Sequence, residues 1–218
     1  MTHQGETSIH LADRITLRAD LRHPTGEPVG LVVFVHGSGS GRHSPRNRHV
    51  AEVLQEAGMQ TLLLDLLTVD EERIDAQTRE YRFNIPLLAD RVVEVIEWVR
   101  TEPDIGNQAI GLFGASTGAA AALIAAAERP FDVAAVVSRA GRPDLADDAL
   151  PRVQASTLLI VGGNDPMVEE LNRQAQSCMN VETRLEIVPG ATHLFEEPGA
   201  LDIVAALAAR WFLEHLTR

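Results

Sequence analysis

The sequence predicts an α/β fold, a mostly parallel central sheet flanked by helices, in a single domain over residues 1–218. Three observations carry this. Apolar strand-like runs alternate with segments of helical periodicity along the whole chain. Most of the strand-like runs are apolar without interruption, the pattern of strands buried on both faces of a parallel sheet. The length, 218 residues, suffices for one full hydrophobic core, and no repeat, low-complexity segment or linker divides it.

The elements follow in order. Residues 13–21 alternate apolar and polar side chains, as a half-exposed strand does. His23 to Pro28 is a turn cluster with Pro24, Gly26 and Pro28. Leu31 to Val35 is a β-branched, apolar strand, followed by a Gly/Ser loop from Gly37 to Gly41. Asn47 to Ala57 reads as a helix that Gly58 ends, and Gln60 to Leu66 as a second buried strand. Thr68 to Tyr81 is polar and acidic and reads as a surface excursion. Ile85 to Arg100 is an amphipathic helix with Leu88, Val92, Val95, Ile96 and Val99 on one face. Ala109 to Phe113 is a strand and Ala119 to Glu128 an Ala-rich helix. Strands at Val133 to Val137, Thr157 to Val161 and Arg184 to Val188 follow, with a helix near Val168 to Gln176. Leu201 to Leu216 closes the chain as an amphipathic helix.

Composition excludes several classes. A net charge of -12 disfavours nucleic acid and anionic membrane surfaces as partners. The lowest-polarity stretch, Ala119 to Ala127, is too short to span a bilayer. The N-terminus has no basic segment followed by an apolar run, so no signal peptide is expected. Cys178, the only cysteine, stands near a helix end without metal-ligand spacing and precludes an internal disulfide. These features together lead to the expectation of a cytoplasmic protein.

One motif carries chemistry. Gly114-Ala115-Ser116-Thr117-Gly118 lies between a buried strand and a helix, where a sharp turn lifts a serine hydroxyl above the sheet edge. Gly114 and Gly118 remove side chains where strand and helix backbones converge. A serine hydroxyl needs a base, and the base needs an orienting carboxylate. Asp165, just past the strand ending at Val161, and His193, just past the strand ending at Val188, supply both in the order Ser–Asp–His. Asp165 has a competing reading as a turn residue before Pro166. His215 is the rival of His193, but its place in the last helix predicts a solvent-facing residue. Asp144, Asp147 and Asp148 fall in a polar loop without a role.

An oxyanion hole needs two backbone N–H groups. Thr117, the residue after the nucleophile, offers one. Ser38, in the loop His36-Gly37-Ser38-Gly39-Ser40-Gly41, offers the other, with Gly37 allowing close approach and His36 organising the loop.

Together these residues resemble the α/β-hydrolase superfamily, and within it the small dienelactone-hydrolase-like branch. The resemblance runs from the His36-Gly37 loop to the last helix. It implies an α/β-hydrolase fold and acyl transfer through Ser116, His193 and Asp165, without metal or organic cofactor. Dienelactone hydrolase itself uses a cysteine nucleophile. The serine at 116 therefore favours general hydrolysis of small-molecule esters, with lactone, thioester or amide hydrolysis on the same triad as alternatives. A non-catalytic binding protein that kept the fold is the reading from another class.

Two further expectations concern the mouth of the site. Arg42, His43, Arg46, Asn47 and Arg48 form a basic cluster that is either a solvated helix entry or an anion contact at the substrate mouth; Arg139 and Arg142, after a later strand, join the second reading. Only about twenty residues separate the strand ending at Val137 from the one starting at Thr157, too few for a large lid. An open cleft suits small esters.

Overall fold

The computed structural model describes residues 5–12 and 15–217. Its strands are β1 (Gly5–His10), β2 (Thr16–Arg22), β3 (Leu31–Val35), β4 (Gln60–Leu64), β5 (Ile110–Ala115), β6 (Val133–Arg139), β7 (Ser156–Gly162) and β8 (Thr183–Val188). They form one sheet in the order β1-β2-β4-β3-β5-β6-β7-β8. From β4 to β8 every pairing is parallel; β1–β2 and β2–β4 are antiparallel. Every residue of β3, β4 and β5 is buried, as continuous apolar runs require. The outer strands β1, β2 and β8 alternate instead, because one of their faces meets solvent.

Helices cover both faces. On one side lie α3 (Ile85–Thr101) and α4 (Thr117–Glu128), on the other α1 (Pro45–Glu56) and α6 (Ala200–Leu216). Val92, Val95, Ile96 and Val99 of α3 are fully buried, each contributing about 1.5–3 kcal/mol of apolar burial. The helix α5 (Pro166–Cys178) packs beside β7 and β8 and ends on the exposed Cys178. Among the described residues no helix is long and apolar enough to cross a membrane.

Several elements depart from the expectations. Residues 13 and 14 of the anticipated first strand lie outside the described residues; β2 itself begins at Thr16. A further edge strand, β1, precedes it. The helix α1 starts at Pro45 rather than Asn47, because Ser44 accepts from the Asn47 N–H and proline suits the first turn. The expected surface excursion contains a helix, α2 (Val69–Thr78), set by a complete capping box between Thr68 and Glu71. His215 is buried rather than solvent-facing. It sits one turn after Trp211, stacks on that ring at 4.2 Å, and its Nδ1 donates to the Trp211 carbonyl at 2.9 Å.

The link between β6 and β7 is short, as anticipated. It is a 3-10 stretch, Pro143–Arg152, kinked at Asp147 (φ 34°), and it packs on α4 and α5 through Ala146, Ala149 and Leu150. No large lid rises from it.

Candidate active site

Ser116 stands at the turn from β5 into α4 with φ 52° and ψ -122°, a left-handed backbone that a serine adopts only under constraint. Neighbouring backbone supplies the constraint. The Ser116 N–H donates to the Arg139 carbonyl at 3.0 Å, and the Arg142 N–H donates to the Ser116 carbonyl at 3.1 Å. Helix and strands approach closely only because glycines flank the turn. A Cβ on Gly118 would lie 2.3 Å from the Val35 carbonyl oxygen, and one on Gly114 2.5 Å from Ala119 Cα.

Asp165 and His193 hang on the loops after β7 and β8, and backbone bonds tie these loops together. The Gly163 N–H donates to the Val188 carbonyl and the Asn164 N–H to the Ala191 carbonyl, both at 2.9 Å; Asn164 Nδ2 donates to the Gly190 carbonyl at 2.8 Å. The β7 end lies against the His193 loop so tightly that a Cβ on Gly162 would fall 2.4 Å from the Ala191 carbonyl oxygen. His193 Nδ1 lies 2.7 Å from Asp165 Oδ2, which makes Nδ1 the donor and leaves Nε2 as the acceptor. That Nε2 lies 3.4 Å from Ser116 Oγ, a loose contact of the kind found before substrate binds. The structure thus brings Ser116, His193 and Asp165 into one chain of contacts. Asp144, by contrast, is spent on Arg142, and Asp147 and Asp148 are exposed.

The oxyanion loop is held from two sides. His36, buried, donates from Nδ1 to the Gly37 carbonyl at 2.9 Å and accepts at Nε2 from the Leu66 N–H at 3.0 Å. Burial lowers its pKa, outweighing the Gly37 bond and the Asp65 charge, so the neutral ring is the one both bonds require. From the other side, the Ser38 N–H donates to Thr117 Oγ1 at 2.9 Å. Ser38 and Thr117 therefore stand next to each other, with the Thr117 N–H in the first turn of α4, where backbone donors lack helical acceptors.

The arginines separate by partner. Arg42 is 6% exposed and consumed by carboxylates: Asp65 makes a short bond to Nη1, Glu6 lies 2.9 Å from Nη2 and Asp20 3.7 Å from Nε. Arg48 turns to Asp20 and Arg142 to Asp144. Arg46 reaches Glu196 at 3.5 Å, and Arg139 is buried at the end of β6.

A cavity of about 230 Å³ opens beside the oxyanion loop, lined by His36, Gly37, Ser38, Leu67, Arg82 and Leu88 among others. Arg82 was not singled out by the sequence. Its Nε donates to Asp75 Oδ2 at 2.6 Å, and the Tyr81 and Arg82 N–H groups donate to Asp75 Oδ1. Burial raises the Asp75 pKa, but these bonds and the Arg82 charge outweigh it and hold the carboxyl below its ordinary value. The Thr68–Glu71 capping signal would have revealed α2, the helix that carries Asp75. Away from this region, Glu182, Glu214 and His215 hold ligand atoms within 4.8 Å of one another, but Arg184 already pairs with both carboxylates.

The family model described as the dienelactone hydrolase family matches residues 17–216. The chain belongs to the dienelactone hydrolase family. Within that family, the crystal structure of a dienelactone hydrolase from Anabaena variabilis is 55% identical, with a TM-score of 0.94 over 98% of this chain and 100% of that one. The fold extends to Est1E of Butyrivibrio proteoclasticus, 18% identical with a TM-score of 0.82 over 98% of this chain and 100% of that one. A Mycobacterium tuberculosis protein provisionally named a phosphoribosyl transferase is 58% identical over 190 residues. That stretch is 87% of this chain, and the match spans 42% of that relative's length.

Proposed function

We propose that this member of the dienelactone hydrolase family is a serine hydrolase that cleaves small esters. The observation that carries the reading is the path Asp165 Oδ2–His193 Nδ1 at 2.7 Å and His193 Nε2–Ser116 Oγ at 3.4 Å. In this reading His193 takes the Ser116 proton as Oγ attacks the ester carbonyl. Asp165 orients the ring and stabilises its charged form. The Thr117 and Ser38 N–H groups receive the oxyanion; Ser38 exchanges its bond to the Thr117 hydroxyl for one to the substrate oxygen. His193 returns the proton to the leaving alcohol. A water, deprotonated by the same ring, then releases the acid and restores Ser116.

The short 3-10 link between β6 and β7 supports small, soluble substrates over long acyl chains. A series of p-nitrophenyl esters of rising acyl length tests both claims. Activity should peak at short chains and fall at least about a thousandfold in Ser116→Ala. A fluorophosphonate probe should label wild type at Ser116. Folded protein that neither reacts with the probe nor hydrolyses any ester, lactone, thioester or amide would instead be a binding module.

A further inference from the structure

Arg139 is the last residue of β6, 6% exposed, and its Nε and Nη1 have no hydrogen-bond acceptor. Its own carbonyl holds the Ser116 N–H, so its backbone adjoins the nucleophile's. Burial, and then the charge of Arg46, lower its pKa to about 10. Arg46 enters from the first turn of α1. Its Nε is likewise buried without an acceptor, and its Nη1 reaches Glu196, three residues past His193 and itself 67% exposed. With Ser38, Gly39 and Ser40, Arg46 lines a second cavity of about 500 Å³ beside the oxyanion loop; Asp65 and Glu72 on its wall are taken up by Arg42 and Arg18, and the buried Arg139 is not part of that wall. Arg42 and Arg91, the comparably buried arginines among the described residues, also keep unpaired nitrogens, but each meets a carboxylate, as Arg139 does not.

A buried guanidinium with unused donors, within electrostatic reach of a second one that is 34% exposed, leaves an uncompensated charge. We propose that Arg139 and Arg46 form an anion site that seats a phosphate group carried by the substrate of Ser116. The free donors sit on two guanidiniums from different elements, and one exposed carboxylate offsets them. A phosphomonoester brings close to two charges and three acceptor oxygens, against one charge and two oxygens for a carboxylate. The phosphate takes no part in bond making; the bond that breaks is the acyl C–O bond. The substrate half of this inference rests on the hydrolase reading, whereas the anion site does not.

Thermal unfolding in sodium phosphate, against chloride and acetate at equal ionic strength, reads the site apart from activity. Phosphate should raise the Tm of wild type and Ser116→Ala alike. The rise should vanish in Arg139→Met and shrink in Arg46→Ala. Arg139→Lys keeps the charge, guards against a misfolded Met variant, and should retain part of the rise. In kinetics, a p-nitrophenyl ester whose acyl chain ends in phosphate should exceed its neutral isostere in kcat/KM about thirtyfold, and the ratio should approach one in Arg139→Met. Equal rises in phosphate and acetate, or a rise that survives both Arg139 substitutions, overturn the site. A wild-type ratio near one, or a larger ratio for the carboxylate-ended ester, overturns the phosphate assignment. If no ester is cleaved while the Arg139-dependent rise is present, the hydrolase reading fails and the anion site stands.

Discussion

Arg42 and Arg139 are buried to the same degree, 6% exposed each, yet their surroundings are opposite. Arg42, between the oxyanion loop and β4, meets Asp65, Glu6 and Asp20. Around it the charges are matched: Asp75 with Arg82, Glu71 with Arg91, Glu72 with Arg18. Arg139, at the end of β6, meets no carboxylate among the described residues, feels the charge of Arg46 and has idle donors. The difference separates a cation that holds the fold from one that the fold alone does not satisfy. Desolvating a guanidinium is costly, and only a hydrogen-bonded carboxylate offsets it.

The comparison breaks if both positions respond alike to substitution. Arg42→Met should lower stability by about 3 kcal/mol, because it takes the guanidinium from the buried Asp65, which keeps only the residue-42 N–H at 2.8 Å and Arg18 at 3.8 Å; urea unfolding measures this. Arg139→Met removes a cation with no partner to strand, and should change stability by less than about 1 kcal/mol or raise it. Similar losses at both sites would mean that Arg139 has a structural partner after all. A smaller effect is expected at the clamp between the two regions. Thr117→Val keeps the shape but frees the Ser38 N–H, and should cost about 1 kcal/mol of stability. It should lower kcat for small esters with KM little changed, since a loosened loop harms the transition state more than binding. A changed KM with unaltered kcat would place the clamp in substrate binding instead.

The gentlest test is pH. His36 has a folded pKa below its ordinary 6.5, so the unfolded chain takes up the proton first. Its contribution is full above about pH 6.5 and lost progressively below it. Asp75 follows the same sign around its lowered value, and so does Asp132, where burial pushes up but bonds from Arg100 and Arg129 outweigh it, so their contributions persist until below about pH 4. Urea midpoints from about pH 7.5 to about pH 5 should therefore fall, and His36→Gln should flatten that part of the curve. An unchanged slope in the variant would remove His36 from the pH response.

The sequence-based reading located most of the frame for a physical reason. The strands β3 to β7 are buried on both faces, so their apolar runs had little freedom to mean anything else. The edge strand β1 escaped because Glu6, Thr7 and Ser8 carry little apolar pattern, and its place depends on pairing with β2. The helix α2 escaped because its interior is polar, although Thr68 and Glu71 announced its start. His215 was misplaced because a position in the last helix does not by itself fix the face; the i, i+4 relation to Trp211 puts it on the buried one. At the candidate site, Ser116, Asp165 and His193 were legible because each follows a recognisable strand. The fate of the basic cluster was not. Asp65 and Glu6, which pair with Arg42, lie far from it in the sequence, and a lone string of arginines carries no record of their partners.

The bonds that tie the loops after β7 and β8 have a mechanical consequence. Asp165 and His193 are anchored to each other through Asn164, Gly163 and the backbone around Ala191, whereas Ser116 is anchored to β6 and α4. The loops that carry Asp165 and His193 are therefore tied to each other, and Ser116 is tied to a different pair of elements. The 3.4 Å between Nε2 and Oγ is the seam between the two anchorages, and in the proposed reaction it is a distance that docking an ester has to shorten while the ring stays aimed.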